Sequence, residues 1–142
     1  MGYLALVAPV LEWGYFLVDS GLTFWTLLGT ILIITGLRYR IYAIQTLGRH
    51  FTGVVKQVDE HQLVSHGPYR LIRHPSYLGS LITFVGCAVL LEARLGLVIC
   101  LVAMMVAYFF RIAAEERLLV SIFGDQYTEY QTRTWRLLPF VW

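Results

Sequence analysis

The sequence predicts an all-α integral membrane protein with about four transmembrane helices in two hairpins, a structured cytoplasmic loop and an interfacial C-terminal segment. Hydrophobic residues make up 58% of the 142-residue chain and charged residues only 14%, whereas a soluble domain usually carries about a quarter charged residues. The charges are also concentrated in short stretches between long apolar runs. A chain of this length supports one membrane-embedded domain, residues 1–142, and is too short for two.

Four apolar runs predict the transmembrane helices, which cover about residues 3–18, 22–47, 75–91 and 95–119. A helix of about 20 residues crosses a bilayer, and the apolar cores reach that length once flanking helical residues are added. Every lysine and arginine except Arg94 follows the charge-free core of either the second or the fourth run. The positive-inside rule therefore places the loop 48–74, the C-terminal segment 120–142 and both termini in the cytoplasm.

Small residues recur along the predicted helices at helical spacing. Gly79, Thr83 and Gly86 share one face of the third run, and Gly29 and Gly36 lie seven residues apart in the second. Small side chains at such spacing let transmembrane helices approach closely. We therefore expect the third helix to pack against the second or the fourth.

The loop 48–74 is too long for a plain connection between neighbouring helices, which takes about 2–8 residues. It ends in the stretch HGPYRLIRHPSYLG, where Pro75 is suited to the first position of a helix because it has no N–H group to leave unpaired. The backbone amides near Ser76 and Tyr77 in that first turn predict a site for an anion. Two basic residues before the helix reinforce this expectation: Arg70 and Arg73.

Other ligand classes find little support in the composition. The spacing of His61, His66 and His74 fits no zinc pattern, so we expect no metal. Cys87 and Cys100 fall in apolar runs and read as buried small hydrophobic residues. A net charge of +2, widely spread along the chain, does not indicate a nucleic acid partner.

A second polar group lies at the end of the fourth run, in the stretch YFFRIAAEERLL. Arg111 and Glu115 are four residues apart and share a helix face, with Glu116 beside them. Such a pair is either an ordinary ion pair at a helix end or part of a functional site near the membrane surface. The amphipathic segment 120–142, rich in tyrosine and tryptophan, is typical of a cover that lies along the interface.

Two stretches together resemble the isoprenylcysteine carboxyl methyltransferase family of integral-membrane enzymes. They are HQLVSHGPYRLIRHPSYLG and RIAAEERLLVSIFGDQYTEYQTRTWRLLP, and the likeness extends over about residues 50–142. It rests on ordered motifs: H-x-L-V, G-x-Y, R-H-P-x-Y-x-G, R-x-x-x-E-E, F-G-x-x-Y-x-x-Y and a closing L-P. The combination is specific, whereas the R-H-P triplet alone is weak.

The resemblance implies an enzyme that transfers a methyl group from S-adenosyl-L-methionine to the C-terminal carboxylate of a prenylated cysteine, with membrane lipid around it. It implies that Arg111 faces the substrate carboxylate and that Glu115, on the same helix face, contacts the cofactor. The other implied cofactor contacts come from the loop and from the start of the third helix: Gln57, His61, Gln62, Leu63, Val64, Tyr69, His74, Pro75, Ser76 and Tyr77.

Two further functions remain open on the sequence. One is a membrane methyltransferase whose acceptor is a phospholipid amine or another isoprenoid or lipid acceptor. An amine acceptor predicts a carboxylate or an aromatic cage at the substrate end rather than Arg111. The other is a non-catalytic helical membrane protein, which predicts no cofactor binding and tolerance of changes at His74 and Tyr77.

Overall fold

The computed structural model describes residues 23–48 and 63–141. These residues form four α-helices and one 3-10 turn, Gly67–Arg70: α1 is Phe24–Leu47, α2 Pro75–Leu90, α3 Arg94–Phe123 and α4 Asp125–Arg133. The all-helical prediction is confirmed for this part of the chain. Two of these helices, α1 and α3, are long and apolar enough to cross a membrane, whereas α2 is apolar but shorter. The predicted run 3–18 lies outside the described residues.

Local signals account for where these helices begin and end. The hydroxyl of Thr23 accepts a hydrogen bond from the amide of Thr26 at 3.1 Å and caps the start of α1. Pro75 opens α2, as the sequence predicts. Helix α3 runs past the predicted end at residue 119 because the next residue suited to stop it is Gly124, whose φ of 55° is accessible to glycine at little cost.

Helices α1 and α2 pack through their glycines. A Cβ atom placed on Gly36 would lie 2.6 Å from the backbone nitrogen of Thr83 and 2.7 Å from the carbonyl oxygen of Gly79. A Cβ atom on Gly86 would lie 2.9 Å from the carbonyl oxygen of Gly29. The two backbones therefore touch directly, which confirms that the third predicted helix packs against the second.

The C-terminal residues 134–141 return to the loop in front of α2. The amide of Arg73 donates to the carbonyl of Trp135 at 2.8 Å, and the amide of Trp135 donates to the carbonyl of Leu71 at 3.0 Å. Ile72 pairs with Trp135 in a parallel bridge and is only 2% exposed. The tail therefore covers the loop through main-chain hydrogen bonds and a buried side chain.

The carboxylate of Glu116 anchors this arrangement from α3. Its Oε1 atom accepts from Nε of Arg73 at 2.7 Å, and its Oε2 atom accepts from Nε of Arg136 at 3.0 Å. Arg73 also donates to the carbonyl of Gln131 at 2.9 Å and to that of Thr134. Two arginines and one buried carboxylate thus connect α3, α4, the loop and the tail.

Replacing Gly36 by alanine tests the contact between α1 and α2. The new methyl group would overlap backbone atoms, so the helices must move apart. We expect Gly36→Ala to lower the free energy of unfolding in detergent by about 1–3 kcal/mol. Gly96→Ala is the matched control, because Gly96 is exposed on α3 and its new Cβ meets only a side-chain carbon at 3.3 Å. Equal stability of the two variants would contradict the close contact.

Neutralising Glu116 tests the anchor of the tail. The side chain is 5% exposed, so Glu116→Gln leaves two arginines beside a neutral amide. We expect a loss of about 3 kcal/mol in the free energy of unfolding, together with faster tryptic cleavage within the tail. Glu129→Gln is the control, since its ion pair with Arg133 is exposed and contributes at most about 1 kcal/mol. If trypsin cleaved the tail at the same rate in both variants, Glu116 would not anchor the tail.

Candidate active site

Three polar side chains meet where the start of α2 lies against the C-terminal part of α3, the part that the sequence predicts to be cytoplasmic. The hydroxyl of Tyr77 donates to Oε1 of Glu115 at 2.5 Å. The guanidinium of Arg111 lies 5.7 Å from the centre of the Tyr77 ring, and its Nε atom is 3.6 Å from Oε1 of Glu115. Arg111 and Glu115 are one helical turn apart on α3, so the pair read from the sequence lies directly against Tyr77.

His74 stands at the edge of this group and is only 6% exposed. Its Nδ1 atom is 3.6 Å from Glu115 and its Nε2 atom 3.4 Å from Glu116, so the ring lies between two carboxylates. Its ring also meets that of Tyr77 edge-on, with 5.7 Å between centroids. Nε2 forms no hydrogen bond within the described part of the chain. Nε2 therefore faces the buried carboxylate on the packed side of α3, and Nδ1 faces the more exposed carboxylate of Glu115.

The two adjacent glutamates have different surroundings. The side chain of Glu115 is 29% exposed and that of Arg111 is 63% exposed, whereas Glu116 is 5% exposed. Successive residues on an α-helix point about 100° apart, so Glu116 faces the docked tail while Glu115 faces the accessible side. Glu115 is therefore the carboxylate that a ligand can reach, and Glu116 is a structural residue.

Arg40 adjoins the candidate site, and the sequence analysis did not single it out. It donates from Nη1 to the carbonyl of Ser76 at 3.2 Å and to the hydroxyl of Ser80, both on the first turns of α2. The ring of Tyr108 meets that of Tyr77 edge-on at 4.8 Å. A second arginine and a second tyrosine therefore adjoin the predicted group.

Signals for both residues were present in the sequence. Arg40 lies four residues after Gly36 and so continues the glycine face of α1, whereas the positive-inside pattern explains its charge without a site. Tyr108 lies three residues before Arg111 and seven before Glu115, so the three share one face of α3.

Tyr69 fills a structural position in the loop. Its ring is 7% exposed, and its hydroxyl donates to the carbonyl of Ala43 on α1 at 3.3 Å. Its own carbonyl accepts from the hydroxyl of Tyr130 at 2.6 Å. Burial raises the pKa of Tyr69 to about 12 and also raises that of Tyr130. Both phenols therefore remain neutral donors at physiological pH.

The start of α2 has fewer free backbone amides for an anion than the sequence predicts. The amide of Tyr77 already donates to the carbonyl of His74 at 3.1 Å, and the amide of Leu78 donates to the same oxygen at 3.3 Å. The expectation that the Tyr77 amide is available to an anion is therefore wrong. Pro75 is buried, and Ser76 contributes its carbonyl to Arg40.

The remaining predicted contacts lie at the boundary of the described chain. Leu63 and Val64 are partly exposed at the start of the second described segment. Gln57, His61 and Gln62 fall outside the described residues. The structure thus brings together Tyr77, His74, Glu115 and Arg111, with Pro75 and Ser76 beside them as the first residues of α2.

This arrangement suits a ligand with both anionic and cationic or hydroxyl groups. The planar guanidinium of Arg111 can bind a carboxylate through two parallel hydrogen bonds. Its present contact with Glu115, at 3.6 Å and largely exposed, is loose enough to exchange for such a ligand. Glu115 can accept from a hydroxyl or an ammonium group.

Comparison with known proteins adds an independent line of information. The phospholipid methyltransferase family matches residues 24–126. The chain is 39% identical over 115 residues to a probable protein-S-isoprenylcysteine O-methyltransferase of Oryza sativa subsp. indica, covering 80% of this chain and 60% of that protein. It is 44% identical over 115 residues to protein-S-isoprenylcysteine O-methyltransferase A of Arabidopsis thaliana, with 80% and 58% covered. The Saccharomyces cerevisiae protein-S-isoprenylcysteine O-methyltransferase is 37% identical over 118 residues, with 82% and 49% covered.

A solved structure gives the same picture. The eukaryotic intramembrane Ras methyltransferase ICMT (isoprenylcysteine carboxyl methyltransferase) superposes with a TM-score of 0.83 at 31% identity, covering 98% of this chain and 52% of that one. The chain thus spans about half to three fifths of the length of these relatives. The chain belongs to the phospholipid methyltransferase family, and its predicted membership of the isoprenylcysteine carboxyl methyltransferase family is confirmed.

Proposed function

We propose that this protein is an S-adenosylmethionine-dependent carboxyl O-methyltransferase that acts on the C-terminal S-isoprenylcysteine carboxylate or a similar membrane-soluble carboxylate. The observation that carries the proposal is the contact of Arg111, Glu115 and Tyr77 where α2 begins. The names of the relatives support methyl transfer to a prenylated cysteine. The chain spans only part of those proteins, so their activity is proposed for it.

Arg111 is the proposed anchor of the substrate carboxylate. A terminal carboxyl group has a pKa of about 3.5, so it is already an anion at neutral pH and needs no general base. The work left to the protein is to align the reactants and keep water away. Arg111 can perform the alignment because its side chain is 63% exposed and is held beside Tyr77. Arg40 adds a second positive charge near the first turn of α2.

The described residues also fit the cofactor. S-adenosylmethionine supplies a methyl group made electrophilic by its sulfonium. Glu115 would accept hydrogen bonds from its hydroxyl or ammonium groups, and His74, whose Nδ1 atom lies 3.6 Å from Glu115, would border the same place. Tyr77 would hold Glu115 in place through its hydroxyl. The remaining proposed contacts are those implied by the family motifs: Gln57, His61, Gln62, Leu63, Val64, Tyr69, Pro75 and Ser76.

The prenyl chain would lie on the apolar helices next to Arg111. Phe109 and Phe110 immediately precede it on α3 and are 53% and 67% exposed. In this proposal the run 3–18 forms a hairpin with α1, α2 forms one with α3, and residues 1–142 make one domain with the active site on the cytoplasmic side. This arrangement would place the lipid part of the substrate in the bilayer and its carboxylate at the surface.

A phospholipid amine is the second candidate acceptor, because the matching family is described by phospholipid methylation. The charges of the site do not favour it. Arg111, the most exposed charge of the group, would repel an ammonium acceptor and attract a carboxylate, whereas the proposal assigns Glu115 to the cofactor.

Substrate choice and the role of Arg111 are tested together, in lipid nanodiscs that contain the full chain. With a radiolabelled methyl donor we expect methylation of N-acetyl-S-farnesylcysteine but not of its carboxamide or of phosphatidylethanolamine. We expect Arg111→Gln to lower turnover by about 100-fold, because the carboxylate loses its alignment. The affinity for S-adenosylhomocysteine, measured by calorimetry, should change by less than about threefold.

Arg117→Gln is the matched control, since Arg117 is an exposed arginine on the same helix that donates only to the carbonyl of Ala113 in the described contacts. It should retain full turnover. Labelling of phosphatidylethanolamine without labelling of the carboxylate would replace the proposed acceptor. Loss of cofactor affinity in Arg111→Gln equal to its loss of turnover would overturn the role of Arg111.

Tyr77→Phe tests whether the hydroxyl positions Glu115 for the cofactor. The variant keeps the ring contacts with His74 and Tyr108 and removes only the hydrogen bond to Glu115. We expect affinity for S-adenosylhomocysteine to fall about tenfold, the usual effect of losing one hydrogen bond to a charged group.

A double-mutant cycle completes this test. Glu115→Gln should weaken binding at least as much as Tyr77→Phe, and the double variant should bind no worse than Glu115→Gln alone. Additive losses would show that the two side chains act on the cofactor separately.

A further inference from the structure

An open cavity of about 300 Å³ lies on the docked tail, and the proposed methyl-transfer site does not use it. Its lining comes from the loop, α4 and the tail: Arg73, Gln131, Thr134, Trp135 and Arg136. The volume is at the lower end of small-molecule sites. None of these residues belongs to the group formed by Tyr77, Glu115 and Arg111, so the cavity is a separate feature of the molecule.

The charge of the lining is positive. Two of its five residues are arginines, and the lining contains no carboxylate. Glu116 lies behind the arginines, bonded to Nε of each, and thereby holds both guanidinium groups at fixed positions. Arg73 is fixed further by the carbonyl of Gln131 at 2.9 Å. The side chain of Arg73 is 9% exposed and that of Arg136 is 36% exposed, so Arg136 is the guanidinium that a phosphate can reach, with the charge of Arg73 close by. A guanidinium held in place by the protein is a usual partner of a phosphate.

Exposed apolar side chains adjoin the cavity. Trp135 lines it and is 37% exposed, and its ring lies 5.5 Å from that of Phe140, which is 83% exposed. Leu71, whose carbonyl accepts from the amide of Trp135, is 55% exposed. Aromatic residues beside arginines are characteristic of the boundary between lipid and water.

We propose that this cavity binds the phosphate of an anionic phospholipid headgroup. Arg136 would contact the phosphate, with the positive charge of Arg73 close by, while Trp135 and Phe140 offer apolar surface to the glycerol and the start of the acyl chains. Free phosphate would use the arginines but gain nothing from the apolar neighbours. Lipid bound here would hold the tail against the membrane surface, and this role does not depend on the methyltransferase reaction.

The test uses the full chain in a neutral detergent and short-chain lipids below their micelle concentration. Binding of dihexanoyl phosphatidylglycerol and of dihexanoyl phosphatidylcholine is measured by calorimetry. Both lipids carry a phosphate, but only the first has a net negative charge, so we expect saturable binding of phosphatidylglycerol at least about tenfold tighter. Inorganic phosphate should bind at least about tenfold more weakly than phosphatidylglycerol, because it lacks the apolar contacts.

Three variants connect the binding to this cavity. Arg136→Gln removes one positive charge, and Gln131→Glu adds a negative charge to the lining while leaving the side-chain partners of Glu116 in place. Each should weaken phosphatidylglycerol binding about tenfold. Arg133→Gln is the matched control, because Arg133 is 74% exposed, pairs with Glu129 and does not line the cavity. It should bind as the unaltered protein does.

Several results would overturn the proposal. Equal affinity for the two lipids would overturn the assignment to an anionic headgroup, and unchanged affinity in Gln131→Glu would remove the cavity as the binding site even if Arg136→Gln fails to fold. Displacement of phosphatidylglycerol by equimolar inorganic phosphate would make it a site for free anions. Displacement by S-adenosylhomocysteine would assign the cavity to the cofactor, and equal binding of an acidic hexapeptide would assign it to a protein partner.

Discussion

The ion cluster centred on Glu116 is the contact on which the arrangement of the site depends. A buried carboxylate is stable only when it is paired and hydrogen-bonded, and Glu116 meets this requirement with Arg73 of the loop and Arg136 of the tail. Satisfying that single group therefore fixes three chain segments relative to one another. The carbonyl of Arg136 in turn accepts from the amide of His74 at 3.1 Å. The tail thus helps to set the residue that caps α2 and borders the candidate active site.

Two adjacent glutamates of α3 have different roles because they point in different directions. Glu116 faces the packed tail, while Glu115 faces the accessible side and meets Tyr77 and Arg111. Because the two carboxylates share one rigid helix, the docking of the tail also sets the depth and direction of the reachable one. The same docked tail presents Arg136 and Trp135 at the cavity on its outer surface. One structural cluster therefore supports the candidate active site on one side and the proposed lipid contact on the other.

The second constraint is the direct backbone contact between α1 and α2. Without Cβ atoms at Gly36 and Gly79, Arg40 comes close enough to donate to the carbonyl of Ser76. This contact gives hydrogen-bond partners to a charged group within an apolar helix, where an unpaired charge is costly. It also places a positive charge beside the helix start where a substrate carboxylate is proposed to bind. The close contact between α1 and α2 therefore also determines where the positive charge of Arg40 lies.

The sequence by itself determined the all-helical character, the start of α2 at Pro75 and the pairing of Arg111 with Glu115, because apolar runs, proline and i,i+4 spacing act locally. It also indicated most of the residues now gathered around Tyr77. Only the tertiary structure decided that Glu116 is buried, that Arg40 meets α2 and that the Tyr77 amide is already used. These outcomes depend on contacts such as that between Arg73 and Glu116, which lie 43 residues apart. Residue spacing and composition do not determine which face of a helix becomes buried, because burial depends on packing against segments that are distant in sequence.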